Sequence, residues 1–155
     1  MNGIAPAGGI VGWGQSWAVG APLIVLTVVV HVLGLGLIRA AFHRAYRPRA
    51  HAIRGQVMHF ALVMSATVSL VTLLHVVQAV LWAAAFVITG AMPEPHRAML
   101  YSISAMTTFG HAPIYLAPQW PMLGALEALN GVILFGLSTA FLYAMIQQAW
   151  PGGSR

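Results

Sequence analysis

Three long apolar stretches, residues 21–41, 57–89 and 122–150, run almost without charge, and this pattern constrains the chain more than any other feature. The first is about 21 residues long, matching the ~20 needed for a helix to cross the hydrocarbon core of a bilayer. His31 is its only ionisable residue before Arg39. At 1.5 Å per residue the second would reach about 50 Å, so it must tilt or project beyond the bilayer. The third runs unbroken to Trp150 and a Pro-Gly-Gly-Ser-Arg tail. Of the 155 residues, 59% are hydrophobic and only 6% charged, whereas roughly 25% are charged in a soluble domain. The expectation is one domain, an all-α membrane protein with three transmembrane helices.

Orientation follows from charge. The formal +5 comes from seven arginines set against Glu94 and Glu127, with no lysine. Five of them, Arg39, Arg44, Arg47, Arg49 and Arg54, cluster from the end of the first apolar stretch to the start of the second. Such a cluster marks a cytoplasmic loop, here residues 42–56, rather than a nucleic-acid surface. The N-terminus then lies outside and the C-terminus in the cytoplasm of a bacterial inner membrane. Residues 1–20 are uncharged and read as an outer-face segment, with Trp13 and Trp17 as interfacial anchors. They lack the basic start of a signal peptide, so no cleavage is expected. With no cysteine, disulfides and thiolate metal sites are excluded. No nucleophile with a base, phosphate loop or carboxylate pair points to an enzyme or to a small-molecule substrate.

Between the second and third stretches lies an unusual segment, residues 97–113. Its apolar part, 98–108, is too short to span, and apolar runs of about 10 to 14 residues suggest re-entrant or interfacial helices. Gly110, Pro113, Pro118 and Pro121 then prevent a helix. Non-helical backbone at membrane depth survives only where protein buries it or where it lines a water-filled cavity. A pore helix followed by a pore loop, on the outer face, meets that condition.

The residues Tyr101-Ser102-Ile103-Ser104-Ala105-Met106-Thr107-Thr108-Phe109-Gly110-His111-Ala112-Pro113 resemble the pore signature of tetrameric potassium channels. Trp120 follows Thr108 at that family's spacing. Residues 126–140 resemble the pore-lining helix, and 75–82 the outer helix, of small bacterial ion-channel proteins that also carry an extra N-terminal span. The likeness covers residues 20–150. It implies a homotetramer in contact with lipid, in which four loops aim backbone carbonyls at one axis and replace an ion's hydration shell. Thr107, Thr108, Phe109, Gly110, His111 and Ala112 would form the filter, with Gly110 as the family's first filter glycine. Ser102, Glu127 and Trp120 would support it. The resemblance implies no cofactor beyond the transported potassium or sodium ion.

Four positions depart from the family: Phe109, His111, Ala112 and Pro113 stand where it has Val or Leu, Tyr, Gly and Asp. A Cβ at Ala112 costs roughly 1 kcal/mol in left-handed backbone, and a residue before proline is driven toward extended geometry. A shortened or widened filter with weak potassium preference is therefore expected. His111 either braces the loop as a neutral ring or forms four imidazoles at the outer mouth that titrate or bind metal. Gly131 and Gly136 either let helices approach closely or serve as gating hinges, Gly131 being the nearer match to the family's hinge. Asn130, three residues beyond Glu127, is expected to face a cavity below the filter. His31 and His75 lie within spans, where an ionisable group raises a functional hypothesis. They ligate haem or a metal, relay protons, or are structural, with His75 bonded to Gln78. A non-conducting scaffold with a decayed pore loop is the remaining alternative.

Overall fold

A helix that is apolar on every side has no face to offer water, and three of the four helices among the described residues are of that kind. The computed structural model describes residues 7–45, 53–110 and 114–149. Among them are α1 (Ala7–Ala45), α2 (Ile53–Ile88), α3 (Pro95–Met106) and α4 (Leu123–Ala149), and no strand. Within α1, α2 and α4, the segments Gly12–Ala45, Val57–Ile88 and Leu123–Gln148 are long and apolar enough to cross a membrane. Large apolar side chains such as Leu37, Leu62, Ile88 and Val132 point outward on all three.

Several hydroxyl groups within these spans are satisfied by their own helix. Ser16 donates to the Gly12 carbonyl at 2.8 Å, Thr67 to Val63 at 2.8 Å and Thr139 to Phe135 at 2.8 Å, each one turn back. Pro22 sits inside α1 without ending it, and the helix takes in residues 7–20, which composition suggests as a separate outer-face segment. Arg39 and Arg44 are exposed near its C-terminal end. Arg54 belongs to the first turn of α2, while Arg47 and Arg49 lie outside the described residues.

The α2–α3 connection is a tight corner. Gly90 takes φ +70, and the Met92 amide donates to the Phe86 carbonyl at 3.0 Å. Glu94 then adopts extended backbone, and Pro95 opens α3 at a position whose amide would be unpaired in any case. The loop after residue 113 is clipped to this corner by the Ala117 amide, which donates to the Ala91 carbonyl at 2.9 Å. Beneath the corner, Trp82, Phe86, Met92, Ala98, Leu123 and Leu126 form the main core, joining α2, α3 and α4, with Trp120 and α1 residues Val19, Leu23 and Ile24 packed against it. At the other end of the bundle, Phe42, Met64 and Met145 close the seam between α1, α2 and α4.

Candidate functional site

Three residues of α4, Gly124, Glu127 and Gly131, recur at the spacing that puts them on one helix face, and this face receives α3. A Cβ built at Gly124 would run into the Tyr101 side chain, and one at Gly131 into the backbone carbonyl of Met106. Between them the Ser102 hydroxyl is hydrogen-bonded to Glu127 Oε1 and lies 2.8 Å from the Ala79 carbonyl of α2. Ser102 and Glu127 are fully buried. Two of the three residues expected to support the filter, Ser102 and Glu127, are thus in direct contact, and they tie α3 to both of its neighbours. Trp120 is half-buried on the same core. The surroundings of Gly131 make it a point of close approach, whereas nothing lies within 4 Å of a Cβ at Gly136.

The end of α3 has a defined geometry. The Thr108 amide donates to the Ala105 carbonyl at 2.9 Å and the Phe109 amide to Ser104 at 2.9 Å. These are the paired bonds of a Schellman cap, whose left-handed residue is usually glycine. Here it is Thr108, at φ +56. A β-branched side chain in that region is an outlier and costs about 1–2 kcal/mol. Gly110 is left-handed as well, at φ +65. The strain that the resemblance implied at Ala112 falls outside the described residues; within them, the left-handed residues of this stretch are Thr108 and Gly110. Thr107, Thr108, Phe109 and Gly110 are all exposed, in one run. His111, Ala112 and Pro113 lie outside the described residues. Two openings flank this run. One of about 470 Å³ is bordered by Tyr101, Ser104, Thr108, Gly110 and Tyr115; the other, about 240 Å³, by His75, Ile103, Met106, Thr107 and Phe135.

Deeper in the bundle, the side chains of three helices form a hydrogen-bonded chain. Gln78 Nε2 lies 2.8 Å from His31 Nδ1 and 3.4 Å from the Thr27 carbonyl. His31 Nε2 is 3.0 Å from Ser138 Oγ, Ser138 Oγ is 3.4 Å from His75 Nε2, and His75 Nδ1 is 2.9 Å from the Val71 carbonyl. A backbone carbonyl can only accept, which fixes both ends of the chain. Gln78 therefore donates to His31 Nδ1, His31 carries its proton on Nε2 and donates to Ser138, Ser138 donates to His75, and His75 carries its proton on Nδ1. The rings meet edge to face at 5.1 Å, and His75 stacks on Phe135 at 4.5 Å. The expected pairing of His75 with Gln78 is not found; Gln78 turns to α1 instead. Asn130, expected below the filter, is fully buried and donates to Thr27 Oγ1 at 2.9 Å.

Thr27 and Ser138 were not singled out from sequence, because serine and threonine in apolar helices ordinarily bond their own backbone. Their signal is positional: Thr27 and His31 share one face of α1, and Asn130 and Ser138 one face of α4. No group of three or more His, Cys, Asp or Glu among the described residues could hold a metal ion. Comparison with protein-family models, curated proteins and solved structures returns no match to this chain.

Proposed function

We propose that the chain is one subunit of a homotetrameric cation channel of the potassium-channel pore type, conducting potassium or sodium passively across a bacterial inner membrane. In this reading α3 is the re-entrant pore helix, residues 107–112 form the filter, and α4 lines the cavity. The N-terminus is outside and the C-terminus cytoplasmic, as the clustered arginines require. The observation that carries the reading is the junction at the end of α3. A short helix anchored through Ser102 to α2 and α4 ends in an exposed stretch, Thr107–Gly110, with two left-handed residues. Alternating left-handed backbone aims successive carbonyls in one direction, which ion coordination by backbone needs. Strain of this kind persists where the surrounding structure over-determines it, and it clusters at functional sites. Against the haem or metal reading stand the His31 and His75 nitrogens, all four already facing protein groups.

The test is reconstitution. Purified protein in liposomes is expected to dissipate a potassium or sodium gradient, and native mass spectrometry is expected to give four copies. A monomer, or a tetramer with no flux above empty liposomes, would leave the scaffold reading in its place.

A further inference from the structure

Four side chains that are fully buried each keep one polar atom without a hydrogen-bond partner among the described residues: Gln78 Oε1, Trp82 Nε1, Glu127 Oε2 and Asn130 Oδ1. They are gathered, not scattered. Gln78 and Trp82 lie one turn apart on α2, and Glu127 and Asn130 one turn apart on α4. Thr27 of α1 touches the amides of both Gln78 and Asn130, at 3.4 and 2.9 Å. Ser102 of α3 joins Glu127 to Ala79, the neighbour of Gln78. Trp82 packs in the same core as Leu126, which precedes Glu127. The unpaired atoms thus belong to one junction of α2 and α4, each within a turn of a contact to Thr27 of α1 or to Ser102 of α3.

Buried polar groups are almost always paired, and in a span no bulk water can make up the deficit. The deficit here has a definite composition: three acceptors and one donor. Two water molecules match it. Of their four O–H groups, three reach Gln78 Oε1, Asn130 Oδ1 and Glu127 Oε2, and one bonds the other water, while a water oxygen accepts the Trp82 N–H. A bare cation would suit the three oxygens but would face the hydrogen of Trp82, a repulsive contact. We infer that the junction is a binding site for a pair of ordered waters, sealed inside each subunit behind the Ser102–Glu127 contact. The inference does not depend on conduction.

Solid-state NMR of the full-length protein in lipid bilayers tests it through the indole N–H groups of its five tryptophans. Trp82→Phe identifies the Trp82 signal by its loss. Although Trp82 is fully buried, magnetisation from water is expected to reach its indole as fast as it reaches the exposed Trp13. Asn130→Leu, which fills the junction with methyl groups, should abolish that transfer. A wild-type Trp82 indole that receives no more water magnetisation than core backbone amides would overturn the site, whether or not the variants fold. So would a Trp82 shift that saturates on adding sodium or potassium to a protein prepared in N-methylglucamine, since that marks a cation in place of the waters.

Discussion

Gly131 and Gly136 look alike in the sequence and differ in what surrounds them. A methyl group at 131 meets the Met106 carbonyl, whereas one at 136 meets nothing. Gly131→Ala is therefore expected to destabilise the subunit by about 1–3 kcal/mol, the usual range for overpacking. Gly136→Ala should stabilise α4 by up to ~1 kcal/mol. Denaturation in mixed micelles reads both; equal effects would mean that close approach at 131 is not what distinguishes the two glycines. The histidines allow a second test at this scale. Selectively labelled His31 is expected to give the ring signature of the Nε2–H form and His75 that of the Nδ1–H form. Gln78→Leu removes the donor that holds His31, so its two neutral forms should then mix, with His75 unchanged. His31 found as the Nδ1–H form in the wild type would reverse the direction assigned to the chain.

Among the elements, α3 is the one whose position matters most, and the Ser102–Glu127 hydrogen bond is a polar tie between it and α4. Ser102→Ala and Glu127→Gln each disturb that contact, so a double-mutant cycle should return a coupling of about 1–2 kcal/mol. Additive losses would show that the two residues act separately. How much of this was legible beforehand differs by element. The long helices could be read because each is uniformly apolar over a bilayer's thickness, a signal that needs no tertiary context. Ser102 and Glu127 were singled out through their place around the pore-like motif, and the structure brings the two side chains into contact. The partner of Gln78 was not. A local guess paired it with His75 three residues away, but its partner is His31, 47 residues distant on another helix. The strained cap at Thr108 was equally hidden, since threonine has no intrinsic preference for left-handed backbone, which here accompanies the Thr108 and Phe109 amide bonds back to Ala105 and Ser104.

For the whole molecule, the proposed tetrameric pore can be tested by what it passes. Pre-proline restriction at Ala112 and its Cβ act on the same stretch of backbone. The double change Ala112→Gly with Pro113→Asp should therefore raise potassium preference over sodium by more than the two single changes combined. Bi-ionic reversal potentials in planar bilayers measure this, and a wild type already strongly potassium-selective would overturn the weak-filter reading. A different consequence follows from the pairing of the first helix with the last. Thr27 and His31 of α1 find their α4 partners, Asn130 and Ser138, only 103 and 107 residues later in the chain. At synthesis rates of roughly 5–20 residues per second, α1 spends ~5–20 s in or near the membrane before those partners exist. During that interval its histidine and threonine face the insertion machinery or lipid. A ribosome stalled before α4 leaves behind a nascent span bearing an unmatched polar seam. Such a seam is a mark by which an incomplete copy differs from a finished one, and a membrane protease or insertase-associated chaperone could recognise it before the fragment joins an assembly.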